Sequence, residues 1–134
     1  MQLHTAGLLV IKDRKLLLAY SNNKKCYYLP GGKIASGETP VAALCREIEE
    51  ELNVILNPND LHFYTHITAP AYGEKNGIIM EQDCFIVQQP IAPVANAEIG
   101  ALQYFSLQQY VQETNTAPGA VQILEQLKAA GLID

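Results

Sequence analysis

The chain has 134 residues, of which 49% are hydrophobic, and its nine basic and fourteen acidic residues give a net charge of −5. A chain of this length builds one hydrophobic core, so we expect a single domain over residues 1–134. The negative charge argues against a nucleic acid polymer or an anionic membrane surface as partner, because neither would be attracted electrostatically. The N-terminal residues lack a basic region, and no apolar run approaches the ~20 residues of a membrane span.

The three cysteines are Cys26, Cys45 and Cys84, an odd number with wide spacing and no Cys-x-x-Cys pair. Such a set is typical of reduced thiols that pack in a core. We therefore expect a cytoplasmic protein without disulfides.

The first third of the chain alternates short apolar runs with turns. Predicted strands cover Ala6–Ile11, Lys15–Tyr20 and Tyr27–Leu29. The proline and glycines of Leu29–Lys33 predict a tight loop, and a helix follows from about Pro40 to Leu52. Thr39 is the expected N-cap of this helix, and Asn53 is the expected stop, because asparagine tolerates the left-handed conformation.

The rest of the chain predicts further strands and two more helices. Strands are expected at about Leu61–Thr68 and Ile78–Gln88, followed by a proline-bearing linker over 89–97 and a short strand near Leu102–Phe105. Helices are expected at Leu107–Val111 and Ala120–Ala130. Strands and helices interleaved in this irregular order favour an α/β fold with a mixed sheet and helices on both of its faces.

Four of the fourteen acidic residues fall in the five positions from Glu47 to Glu51. At 100° per residue, Glu47, Glu50 and Glu51 lie at about 0°, −60° and +40°, on one narrow face of the helix. Like charges three and four residues apart repel by roughly 0.2–0.5 kcal/mol per pair. A hard divalent cation with oxygen ligands would reverse that cost, so the helix and the glycine loop before it predict a metal site.

This segment resembles the Nudix box, Gly-x5-Glu-x7-Arg-Glu-U-x-Glu-Glu-x-Gly-U, in which U is a bulky aliphatic residue. The matching residues are Gly32, Glu38, Arg46, Glu47, Ile48, Glu50, Glu51 and Val54. Asn53 stands where the pattern has its late glycine, a change that the helix-ending geometry can absorb. The Leu-Pro-Gly-Gly lead-in, Glu98-Ile99 and Tyr104–Leu107 are also similar to the layout of MutT-type Nudix hydrolases. The resemblance implies an α/β/α sandwich.

The resemblance implies a hydrolase that cleaves a nucleoside diphosphate linked to another group, with Mg²⁺ or Mn²⁺ as cofactor. It implies Glu47, Glu50 and Glu51 as metal ligands, with a backbone carbonyl of Gly31 or Gly32. Arg46 and Glu38 are implied to orient the ligating carboxylates, so that Arg46, Glu50 and Glu51 form the catalytic group of the box. A further carboxylate, as base or extra ligand, matches Glu98, and its rivals are Glu81 and Asp83.

Substrate contacts are expected from Lys33 to phosphate and from Tyr72, in the glycine-bearing loop, to a nucleobase. The leading prediction is a pyrophosphohydrolase that converts nucleoside triphosphates to the monophosphate and pyrophosphate. The alternatives are hydrolysis of ADP-ribose or another nucleoside diphosphate derivative, and a non-catalytic nucleotide-binding sensor. Family habit also allows a homodimer.

Overall fold

In the computed structural model, which describes residues 1–134, five strands precede the first of three helices and three more strands separate it from the other two. The strands are β1 (Gln2–Leu9), β2 (Ile11–Lys12), β3 (Lys15–Ser21), β4 (Cys26–Tyr28), β5 (Gly31–Lys33), β6 (Leu61–Pro70), β7 (Ile79–Val87) and β8 (Ile99–Phe105). The helices are α1 (Pro40–Leu52), α2 (Leu107–Tyr110) and α3 (Pro118–Ala129), and a short 3₁₀ turn covers Pro58–Asp60. None of the helices is long and apolar enough to cross a membrane.

The strands form two four-stranded sheets. The first has the order β5-β1-β7-β6 and is mixed, because β1 and β7 run parallel while the other pairs are antiparallel. In the second, β3 pairs with β2, β4 and β8, always antiparallel. The mixed sheet is as predicted, whereas the sequence did not indicate that the strands divide between two sheets.

Alternate residues of the central strands face two separate hydrophobic clusters. Leu8 of β1 and Leu17 of β3 pack with Leu44 and Ile48 of α1. Their neighbours along the strands, such as Leu9, pack instead with α3. Since successive side chains of a strand point to opposite faces, both sheets form one layer with α1 on one side and α3 on the other. The predicted α/β/α sandwich is confirmed.

Helix α1 has the predicted bounds and both predicted caps. The Thr39 side chain accepts a hydrogen bond from the Ala42 N–H at 3.1 Å, and Pro40 occupies the first turn. Asn53 closes the helix in the left-handed region with φ 55° and ψ 39°, and its N–H donates to the Glu49 carbonyl. The absence of the pattern's glycine at this position therefore leaves the end of the helix intact.

Two predictions about strands were wrong. Gly31–Lys33 is not a loop but strand β5, since its backbone pairs with β1, with Ala6 opposite Gly32. The last strand begins at Ile99 instead of near Leu102. Both extensions come from pairing with a distant strand, a tertiary effect that outweighs the local preferences of glycine and of short apolar runs.

A buried tyrosine joins β4 to the start of α3. The Tyr110 hydroxyl donates to the Tyr27 carbonyl and accepts a hydrogen bond from the Ala117 N–H at 2.9 Å. Tyr110 is fully buried, and burial raises the pKa of its hydroxyl above the usual range. This one hydroxyl thus fixes the N-terminal end of α3 against the second sheet.

Replacing Tyr110 by phenylalanine removes that link and leaves a buried N–H and a buried carbonyl without this partner. We expect Tyr110→Phe to lower the free energy of unfolding by about 1–3 kcal/mol, measured by urea denaturation. Tyr64→Phe is the matched control, because Tyr64 packs against the same cluster while its hydroxyl makes no hydrogen bond. Equal, small losses in the two variants would contradict a structural role for the Tyr110 hydroxyl.

Candidate active site

The candidate active site is a cleft of about 300 Å³ between the mixed sheet, β4 and the N-terminal end of α3. Its lining combines two lysines and several apolar side chains with four carboxylates, those of Glu47, Glu51, Glu74 and Glu98. Among the predicted site residues, those that line it are Gly31, Gly32, Lys33, Glu47, Glu51, Tyr72 and Glu98. The sequence-based set is therefore largely gathered in one place.

Glu51 is the most deeply buried carboxylate of the chain, with 6% of its surface exposed. Its Oε1 accepts a hydrogen bond from the Gly31 N–H at 3.1 Å. Burial raises the pKa of Glu51 to about 8, and the negative charges of Glu47, Glu98 and Glu50 act in the same direction. The protein alone therefore compensates the negative charge of ionised Glu51 poorly.

Glu47 lies one helical turn before Glu51 and packs directly on Gly32. A Cβ placed on Gly32 would stand 2.4 Å from Glu47 Cδ, so any side chain at position 32 would displace this carboxylate. Burial raises the pKa of Glu47, although the Arg46 guanidinium opposes that shift. Gly32 is thus required for the close approach of β5 and α1. The absence of a side chain at this position also lets a ligand approach the backbone atoms.

Arg46 ties the loop between β5 and α1 to the carboxylate face. It donates to both oxygens of Glu38, each at 2.9 Å, to Glu47 Oε1 at 2.8 Å and to the Lys33 carbonyl at 3.1 Å. The paired guanidinium, with a further hydrogen bond from the Ala35 N–H, lowers the pKa of Glu38 to about 2. Arg46 and Glu38 do not line the cleft, so they act on it through the residues that they hold.

Glu98 is brought to the cleft by the linker over residues 89–97. Asn96 donates through its side chain to the Glu50 carbonyl at 3.0 Å and through its backbone N–H to the Glu51 carbonyl at 2.9 Å. These carbonyls belong to the last turn of α1, which has no partners within the helix. These hydrogen bonds fix the linker beside α1. Glu98, two residues after Asn96, is thereby placed at the cleft.

Two lysines and an acidic residue form the rim. Glu74, in the loop between β6 and β7, lies 3.4 Å from Lys24 Nζ and 4.0 Å from Lys33 Nζ. Lys24 also lies over the Tyr28 ring, 5.6 Å from its centroid. The sequence did not indicate Lys24 as a site residue, because an isolated lysine in a polar turn belongs to no motif. Only the fold brings it to the cleft.

Glu50 and the two rival acids occupy other surroundings. The Glu50 side chain is exposed and does not line the cleft. Glu81 and Asp83 flank Gln82, which does line the cleft, so they point to the opposite face of the sheet. There both carboxylates hydrogen-bond His66, each at 2.7 Å, which places them apart from the other carboxylates.

The donor set of the cleft fits a hard divalent cation. Glu47 and Glu51 supply carboxylate oxygens, the ligand type that Mg²⁺ and Mn²⁺ prefer, and burial raises the pKa of both groups. The side chains are not already gathered around one point, since no group of three acidic, histidine or cysteine residues is arranged to hold an ion. Glu47 is engaged by Arg46 and Glu51 by Gly31.

Comparison with known proteins agrees with this geometry. The model of the NUDIX domain family matches residues 1–127, and the chain belongs to the Nudix hydrolase family. A segment of 50 residues is 44% identical to an ADP-ribose pyrophosphatase of Methanocaldococcus jannaschii, and it spans 35% of this chain and 30% of that protein.

Solved structures share the fold over nearly the whole chain. A MutT NUDIX hydrolase from Burkholderia pseudomallei is 23% identical, with a TM-score of 0.77 over 95% of this chain and 98% of that one. The NUDIX domain of NrtR from Shewanella oneidensis, solved with ADP-ribose, is 17% identical, with a TM-score of 0.71 over 97% and 88%. At these identities the likeness establishes the architecture.

The raised pKa of Glu51 makes the stability of the metal-free protein depend on pH. The unfolded carboxyl ionises near its ordinary pKa, whereas the folded one holds its proton up to about pH 8. Stability therefore falls as pH rises from about 4.5 to about 8. The glutamine of Glu51→Gln cannot ionise, and its amide oxygen can still accept a hydrogen bond from Gly31. In EDTA we therefore expect the free energy of unfolding of the variant, relative to that of the parent, to increase as pH rises across that range. Parallel pH profiles of urea unfolding would contradict this.

Proposed function

We propose that the protein is a Mg²⁺-dependent pyrophosphohydrolase that converts a nucleoside triphosphate and water to the nucleoside monophosphate and pyrophosphate. The observation that carries the proposal is that one cleft is lined by carboxylates, lysines and apolar side chains together. These three kinds of group suit a cation, a polyphosphate and an uncharged base of one bound molecule. Mn²⁺ is the expected substitute for Mg²⁺.

Glu47, Glu50 and Glu51 are the proposed ligands of the cation, together with a backbone carbonyl of Gly31 or Gly32. A divalent cation, when bound, neutralises phosphate oxygens and lowers the pKa of a coordinated water. Glu50 is exposed outside the cleft, but its negative charge is close enough to Glu51 to contribute to the raised pKa of that residue. Arg46 is proposed to position Glu47, the residue to which it donates.

Lys24 and Lys33 are the proposed phosphate contacts. Both line the cleft, and the carboxylate between them, Glu74, occupies the place that a phosphate group would compete for. A triphosphate carries more negative charge than a bridging diphosphate, and two lysines beside the cation site are suited to it. Tyr72, half-buried on the same loop, is proposed to stack on the base.

Glu98 is the proposed general base. It would accept a proton from water while the water oxygen bonds to phosphorus, and the bond from that phosphorus to the bridging oxygen breaks. The leaving group departs as pyrophosphate, and the other product is the monophosphate. Its place beside Glu47 and Glu51 in the cleft, fixed through Asn96, supports this role.

ADP-ribose is the second candidate substrate, favoured by the 44% identity to an ADP-ribose pyrophosphatase over 50 residues. The two candidates leave different products, because ADP-ribose gives AMP and ribose 5-phosphate without pyrophosphate. A screen with Mg²⁺ across nucleoside triphosphates, ADP-ribose, nucleotide sugars and dinucleoside polyphosphates, read by product analysis, separates them. Hydrolysis of none, with nucleotide binding retained, would favour a non-catalytic sensor.

Charge-removing variants test the assignments of the carboxylates. We expect Glu51→Gln to lower kcat by at least ~10²-fold and Glu98→Gln by roughly 10²–10⁴-fold, measured by steady-state kinetics on the substrate that the screen selects. Glu49→Gln and Glu81→Gln are the controls, since Glu49 lies on the exposed side of α1 and Glu81 on the far face of the sheet. Equal losses at positions 49 and 51, or a greater loss at 81 than at 98, would refute the assignments.

A further inference from the structure

A buried glutamine lines the cleft without a strong hydrogen-bond partner. Gln82 of β7 is 7% exposed and lines the cleft. The one hydrogen bond to its amide oxygen comes from the Cys84 thiol at 4.0 Å, at the outer limit for a sulfur donor. A buried amide in this position retains the capacity to donate and to accept toward a bound molecule.

A polar side chain without a hydrogen bond lies beside Gln82. Thr5 of β1 pairs with Gln82 in the register of the two parallel strands, so both side chains belong to the same face of the sheet. Thr5 is also 7% exposed and lines the cleft, and its Oγ1 is the one buried side-chain oxygen or nitrogen in the chain without a hydrogen bond. One group without a hydrogen bond, Thr5 Oγ1, therefore lies beside an amide whose oxygen has only a weak one.

Two glycines allow close packing around the Gln82 amide and the neighbouring Met80. A Cβ on Gly7 would lie 3.1 Å from Gln82 Cδ and Nε2, so the glycine lets the amide lie across β1. A Cβ on Gly119 would lie 2.6 Å from Met80 Cε, which shows how closely α3 approaches the sheet. The apolar walls are formed by Leu3, Leu29, Met80, Ala117 and Ala120.

We infer that Gln82, with Thr5 beside it, is the specificity-determining element that binds the hydrogen-bonding edge of a planar heterocyclic base. An amide presents one donor and one acceptor side by side, which matches the adjacent donor and acceptor on a nucleobase edge. The apolar side chains around the amide suit the faces of such a ring, and they offer little to a sugar or a bare polyphosphate. This inference rests on the proposed function, for which it names the group that reads the base.

Binding of free nucleosides tests the inference without metal or catalysis. We expect NMR titrations of the ¹⁵N-labelled protein in EDTA to show saturable shifts of the Gln82 side-chain amide with at least one of adenosine, guanosine, cytidine and uridine. Gln82→Leu should weaken that binding by roughly tenfold, the effect of losing one good hydrogen bond pair. Gln103→Leu is the matched control, because Gln103 is exposed on β8 and lies outside the cleft.

Kinetics and stability supply two independent readouts. The ratio of kcat/KM for the nucleoside triphosphate to that for ribose 5-triphosphate should fall about tenfold in Gln82→Leu, mainly through KM. Thr5→Val keeps the side-chain shape and removes only an unsatisfied hydroxyl, so its melting temperature should equal or exceed that of the parent. A marked loss of stability in Thr5→Val would identify the hydroxyl as structural and overturn its role in recognition.

The outcomes separate this inference from the proposed function. If the parent hydrolyses nucleotides but no nucleoside binds, or Gln82→Leu binds nucleosides as the parent does, base recognition by Gln82 is refuted and the hydrolase proposal stands. If nucleosides bind through Gln82 but no phosphate anhydride is cleaved, base recognition stands and hydrolysis is refuted. An equal fall of kcat/KM for both triphosphates would also overturn the inference.

Discussion

The carboxylate of Glu51, buried beside Glu47 and Glu98, is the constraint around which the site is organised. A buried negative charge is costly unless it is paired, and here the protein offers it one backbone N–H and two further carboxylates. The arrangement is unfavourable for the folded chain alone and favourable for a chain that binds a divalent cation. Ionisation of Glu51 in the folded protein therefore costs stability when no cation is present.

The fold supports this constraint with contacts from three directions. Strand β5 brings Gly31 and Gly32 against α1, where the Gly31 N–H donates to Glu51 and the absence of a side chain on Gly32 admits Glu47. Arg46 fixes the connecting loop and one oxygen of Glu47. From the other side, Asn96 binds the free carbonyls at the end of α1 and delivers Glu98. Each contact joins segments that are distant in sequence.

The local parts of this design were predictable from the sequence. Thr39, Pro40 and Asn53 set the helix bounds by capping chemistry. The glutamate spacing placed Glu47 and Glu51 together, whereas Glu50, predicted on the same face, is exposed outside the cleft. The role of β5 was missed because two glycines read as a loop, and only β1 makes them a strand. Lys24 and Gln82 were missed because neither belongs to a pattern. Their importance comes from the cleft that two sheets and α3 build together.

The most direct measurement is the thermal unfolding of the parent and of Glu51→Gln, first in EDTA and then with Mg²⁺ or Mn²⁺. An ion bound only by the folded state at a hundredfold excess over Kd stabilises by about 2.7 kcal/mol. For the parent, with its 134 residues, we expect the melting temperature to rise by roughly 5–15 °C. Glu51→Gln should melt no lower than the parent in EDTA and gain much less from either ion. A parent indifferent to both cations, or an equal gain in the variant, would contradict a cation site built on Glu51.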